Sequence, residues 1–119
     1  MSYESRIYVV NAKRYEVKGK PYAFAEQLAV IDCSKMDNNF TNLFTDETDY
    51  EIYDRDMEGR TKTDCYGNTI KRGEINKIIS YLENMTATNP YRRAKVLLAT
   101  LKAFNKETWD CLEIVHFGC

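Results

Sequence analysis

The residues with the most chemical reach gather in two places of opposite sign. Residues 91–95 read Tyr-Arg-Arg-Ala-Lys. Two guanidiniums and an ammonium beside an aromatic ring suit a planar anion: bidentate hydrogen bonds hold phosphate and the ring stacks on a base. Asn89 is a good helix N-cap, and Pro90 suits the first helical position because its missing N–H has no partner there. Arg92, Arg93 and Lys95 therefore crowd a helix start, where the dipole disfavours each cation by a few tenths to about 1 kcal/mol. No acid lies between Thr88 and Lys106. A negative group must answer them, either a carboxylate from elsewhere in the fold or a bound anion. Asn89, Tyr91, Arg92, Arg93 and Lys95 are the ligand-binding candidates.

The second place is Asp46 to Glu58, with seven acids and one arginine in thirteen residues. Charge of this kind keeps an exposed hairpin edge from pairing with other strands. The same surface can imitate nucleic-acid phosphates and dock in a basic protein groove, with Glu51, Asp54, Asp56 and Glu58 as contacts. Asp54 and Asp56 point the same way if strand pairing continues there, which suits a divalent metal, although a nuclease would need a third carboxylate and a basic partner.

Other candidates are thinner. His116, the single histidine, precedes Phe117-Gly118 at the end of an apolar run, the setting of a packed, hydrogen-bonded ring. A dyad with Cys33 or Cys65 would need proximity that sequence does not give. The four cysteines are widely spaced, contain no Cys-x-x-Cys pair, and read as reduced thiols. No nucleophile elbow or glycine-rich phosphate loop is present. No residue is assigned a catalytic role, and no metal or cofactor is expected. Trp109 reads as closing one end of the core.

The elements that must position these groups follow from periodicity. Arg6–Asn11 reads as a strand, Lys13–Lys20 leads into a turn at Gly19 and Pro21, and the apolar run Gln27–Cys33 reads as a central strand covered on both faces. Asp37–Thr48 is a helical turn or a long loop. Tyr50–Asp54 alternates, with Tyr50 and Ile52 on one face, and Thr61–Tyr66 returns as its hairpin partner. Ile75, Ile78, Ile79 and Leu82 stripe a helix over 71–87. Ala94, Leu97, Leu98, Leu101 and Phe104 stripe a second over 90–105. Residues 108–117 form a last central strand. The expectation is an α+β fold, one domain over 1–119, with a four- to five-stranded, mostly antiparallel sheet and both helices on one face.

Composition bounds the function. The chain has 119 residues, 44% hydrophobic and 29% charged, with a net charge of −1 and a pI of about 5.9. There is no overall pull toward nucleic acid, so direct nucleic-acid binding is not expected. Neither a membrane-spanning run nor a signal-peptide pattern is seen, and a cytoplasmic protein is expected. Nine tyrosines suit a binding surface or a small mixed core.

The opening Ser5–Val10 strand, the Tyr91–Asn105 segment, Trp109 and the closing Val115–Gly118 resemble small accessory proteins of Firmicutes phages and mobile elements. The likeness covers the first strand and residues 91–118. It includes no catalytic motif, so no residue's role is carried over. What it implies is a non-catalytic anti-defence protein working in the host bacterial cytoplasm. Such a protein sequesters an anionic nucleotide-type immune signal as a sponge, or inhibits a host defence protein directly. The first reading places the ligand at Asn89–Lys95, with a homo-oligomer enclosing it. The second is an anti-CRISPR-like inhibitor of a nuclease effector acting through residues 46–58. A small metal-dependent hydrolase is the third reading.

Overall fold

The computed structural model describes residues 4–34, 36–88 and 91–119. A five-stranded antiparallel sheet runs in the order β2-β1-β7-β6-β3. Its strands are β1 (Glu4–Val17), β2 (Lys20–Ser34), β3 (Phe44–Glu47), β6 (Lys71–Gly73) and β7 (Leu112–Gly118). A two-stranded hairpin, β4 (Ile52–Asp54) with β5 (Gly59–Thr61), lies on one face. Helices α2 (Ile75–Thr88) and α3 (Arg92–Asn105) cover the other. The α+β fold with both helices on one side is as expected.

β1 is central because it is apolar on both faces. Ile7 and Val9 face the helices and join Ile78, Leu82, Leu97 and Leu101 in one core. Tyr8, Val10 and Ala12 face the hairpin and join Tyr50, Ile52, Val115 and Phe117 in a second. Each fully buried aliphatic or aromatic side chain contributes roughly 1.5–3 kcal/mol, so both layers hold the sheet. The β1–β2 turn has positive φ at Lys18 (54°) and Gly19 (76°). That pair of angles matches the twist of a two-residue hairpin, and Gly19 adopts its angle without steric cost.

Two expectations need correction, and one open alternative is decided. Gln27–Cys33 lies in an edge strand, not a central one, because among the described residues β2 pairs only with β1. Its unbroken apolar run has another cause. A bulge at Leu28 puts Leu28 and Ala29 both toward the helical core, while Val30 stays 48% exposed. The first helix does not begin near Lys71, since Lys71–Gly73 is a strand and α2 starts at Ile75. The segment 37–48 resolves into a helical turn, α1 (Asn38–Thr41), followed by β3. Phe40 pins that turn in the core, and Asp37 caps it by accepting from the Phe40 N–H at 3.0 Å.

The cysteines also depart from expectation. Cys65 and Cys119 form a disulfide, while Cys33 and Cys111 keep their thiols. Among the described residues, no helix is long and apolar enough to cross a membrane.

Candidate functional site

The two charged regions lie on opposite sides of the sheet. At the start of α3, Tyr91 occupies the N-cap in extended conformation (φ −62°, ψ 113°) and makes no side-chain cap bond. Its ring is half-buried against the helical core, so it does structural work whatever else it does. Arg92, Arg93 and Lys95 are exposed on the first turns, and α3 carries no acid. Asn89 lies outside the described residues. At the far end Lys102 reaches Glu83 of α2 at 3.4 Å. Trp109 donates to the Phe104 carbonyl at 2.8 Å, satisfying a helix-terminal oxygen while its ring closes the core end.

The acids of 46–58 do not fold back onto the start of α3. Three of them, Asp49, Asp54 and Asp56, join two clusters with arginines on the hairpin side. In the first, buried Arg6 of β1 donates to both oxygens of Asp54 at 2.8 and 3.1 Å and also bonds Asp56. The Tyr8 hydroxyl donates to Asp54, as do the backbone N–H groups of Asp56 and Met57. Arg6 Nε lies 3.3 Å from Asp32 but has no aligned acceptor, so that contact is ionic, not a hydrogen bond. Burial alone would raise the Asp54 pKa; the Tyr8 and Arg6 bonds outweigh it and hold the carboxyl below its usual range. Burial and the bond to Asp54 both push the Tyr8 phenol up.

Asp54 is completely buried, so it presents nothing to a partner in this state and leaves the proposed docking set. Asp54 and Asp56 do converge, but on Arg6, whose guanidinium fills the place of a divalent cation. Glu51 and Glu58 are exposed, and Asp56 is about half exposed (48%).

The second cluster centres on Glu113 of β7. It accepts from the Tyr50 hydroxyl at 2.7 Å, Arg72 at 2.7 Å and Arg14 at 3.1 Å, with the Cys111 thiol at 3.3 Å. Arg14 also grips Asp49 with two bonds of 2.7 and 2.8 Å. Burial favours the neutral acid, yet these donors hold Glu113 below the ordinary carboxylate range.

The candidate nucleophiles are placed against reactivity. Burial raises the Cys33 thiol to about 11, and burial with Glu113 alongside raises Cys111; thiolate is the reactive form. Cys65 is tied up in the disulfide. His116 Nε2 sits 2.9 Å from the Oγ of buried Ser5. Burial lowers its pKa to about 4, against a weak opposing pull from Asp64. Among the described residues no three His, Cys, Asp or Glu side chains gather to hold a metal ion.

Sequence reasoning missed the two buried charges, Arg6 and Glu113, on which the clusters centre. The signal was a lone charge inside an apolar strand, Arg6 before Ile-Tyr-Val-Val and Glu113 between Leu112 and Ile114. A buried charge requires a partner. No family model, no curated protein and no solved structure matches this chain.

Proposed function

We propose that this chain is a non-catalytic binding protein of the phage anti-defence kind, which captures an anionic nucleotide-type signal at the start of α3. One observation carries the reading. The four cations of α3, Arg92, Arg93, Lys95 and Lys102, share their helix with no acid, while Asp49, Asp54 and Asp56 serve Arg14 and Arg6 across the sheet. On this reading a ligand phosphate adds negative charge at the helix start, gripped by Arg92 and Arg93 and steered by Lys95. The exposed part of the Tyr91 ring meets the base. The site works in the host cytoplasm on this reading, where the Cys65–Cys119 bond faces reducing thiols.

The test is a thermal-shift screen of the purified protein against linear and cyclic nucleotides. A ligand at about 100 times its Kd adds about 2.7 kcal/mol, which raises the Tm of a domain this size by roughly ten degrees. We expect that shift in the wild type and its loss in the Arg92→Ala/Arg93→Ala variant. A flat response across the panel overturns the reading.

A second reading, direct inhibition of a basic nuclease effector, draws on the exposed acids that remain, Glu51 and Glu58 with half-exposed Asp56. Glu51→Lys/Glu58→Lys abolishes capture of such an effector on that reading, while Arg92→Ala leaves it intact.

A further inference from the structure

Among the described residues, no strand pairs with either edge of the distal half of the β1–β2 ribbon. β7 accompanies β1 only as far as the Asn11–Leu112 pair, and β2 ends the sheet. Tyr15 (46%), Val17 (50%) and Tyr22 (50%) are large apolar side chains left in solvent there. The rings of Phe24, Tyr15 and Tyr22 form a row, with centroids 5.8 and 5.4 Å apart. Exposed apolar surface in a continuous row marks an interaction site more often than an isolated residue does.

The backbone states which groups the β2 edge offers. Ala12 donates its N–H to the Cys111 carbonyl at 2.8 Å, so even-numbered residues of distal β1 face the β7 side and odd-numbered ones face β2. Lys20, Tyr22 and Phe24 pair with Val17, Tyr15 and Lys13 and turn their backbone groups inward. Pro21, Ala23 and Ala25 turn theirs outward. Pro21 has no N–H to leave orphaned at that edge.

We propose that a second copy of this chain adds to this edge, β2 antiparallel to β2, with the two-fold axis at Ala23. Ala23 then exchanges both backbone bonds with Ala23 of the second copy, and Ala25 donates to the carbonyl of its Pro21. Tyr22 stands opposite Phe24 of the second copy, and Lys20 stands opposite its Glu26, each twice by symmetry. All four side chains lie on one face, so the aromatic rows of both ribbons become continuous. Glu26 already holds Lys13 at 3.0 Å and comes to sit between two ammonium groups.

The register is selective. A slide of two residues puts Lys20 opposite Phe24 or Leu28 and loses the charge match. A slip of one residue sends the side chains to the wrong faces. The match requires both a cation and an anion at fixed spacing on one strand. That is complementarity of the strand with itself, which a polyanionic ligand would not use.

Sedimentation velocity of the full chain across a concentration series tests this. We expect a dimer in the wild type. The single substitutions K20E and E26K each place like charges opposite one another twice, and each weakens the dimer by roughly ten-fold or more. Mixing the two variants restores it, because each hetero-pair regains two opposite-charge contacts. Unchanged circular dichroism, and a Tm matching that of the wild type at concentrations too low for the dimer, separate lost association from lost folding. A monomer throughout, a dimer indifferent to K20E, or no recovery on mixing overturns the proposal.

Discussion

Asp54→Asn is the substitution that tests the architecture most directly. The side chain is 0% exposed and accepts from Arg6, from the Tyr8 hydroxyl and from two backbone N–H groups. Asparagine keeps the shape and one acceptor oxygen, but its NH₂ faces a site furnished entirely with donors. A hydrogen bond to a charged group is worth about 1.5–3 kcal/mol, and removing one partner of a buried ion pair costs about 3–5 kcal/mol. Arg6 retains Asp56 and Asp32, both about half exposed (48%), which places the expected loss near the lower end, about 3 kcal/mol. Denaturant unfolding of the variant against wild type measures it, with Glu51→Gln and Glu58→Gln as exposed controls that stay within about 0.5 kcal/mol. The pH dependence adds a second check. Asp54 has a lowered folded pKa, so its contribution is full above the unfolded value of about 3.9 and drains as pH falls through the folded one. The gap between wild type and variant therefore closes in acid. A loss under about 1 kcal/mol, or a gap that persists undiminished in acid, would refute the idea that ionised Asp54 fastens the β4–β5 hairpin to the sheet.

Two further predictions concern Cys65 and His116. The disulfide spans a sequence separation of 54, so Cys65→Ser lowers stability by up to about 4 kcal/mol on chain-entropy grounds. Reductant should produce the same fall in the wild type and none in the variant, and a wild type indifferent to reductant would mean that the bond does not form. His116 has a folded pKa depressed to about 4 from 6.5. The unfolded chain therefore binds the proton first, and stability rises with pH across that window, by at most about 3 kcal/mol. His116→Asn should flatten that limb, and an identical slope in the variant would assign it to other groups.

The helical stripes and the strands β1 and β7 were legible because their burial patterns are local. Ile7 to Val10 is apolar on both faces, and Ile78, Leu82, Leu97 and Leu101 recur at helical spacing. β6 was not legible, since Lys-Arg-Gly has neither alternation nor β-propensity. Tertiary contact sets it: a Cβ on Gly73 would lie 2.9 Å from the Leu43 carbonyl, so only glycine allows β3 to approach this closely. Composition also concealed the edge position of β2, because one bulge placed two successive apolar residues on the same side. At the candidate site the charges were visible but not their pairing. Arg6 meets Asp54 at a separation of 48 and Tyr50 meets Glu113 at 63, and nothing in local spacing encodes such a match.

The middle of the sheet joins strands from opposite ends of the described chain, with Ser5 paired to Gly118 and Asn11 to Leu112. During synthesis β1 and β2 emerge early and can close their hairpin through the tight turn at Lys18–Gly19. The inner edge of β1 then waits until β7 leaves the ribosome, since among the described residues no other strand pairs with it. Loop closure over that distance slows folding. The half-made protein meanwhile presents a long apolar strand with unpaired backbone, a template for aggregation. Ribosome-bound or truncated chains that lack β7 should therefore need a chaperone more than the finished protein does.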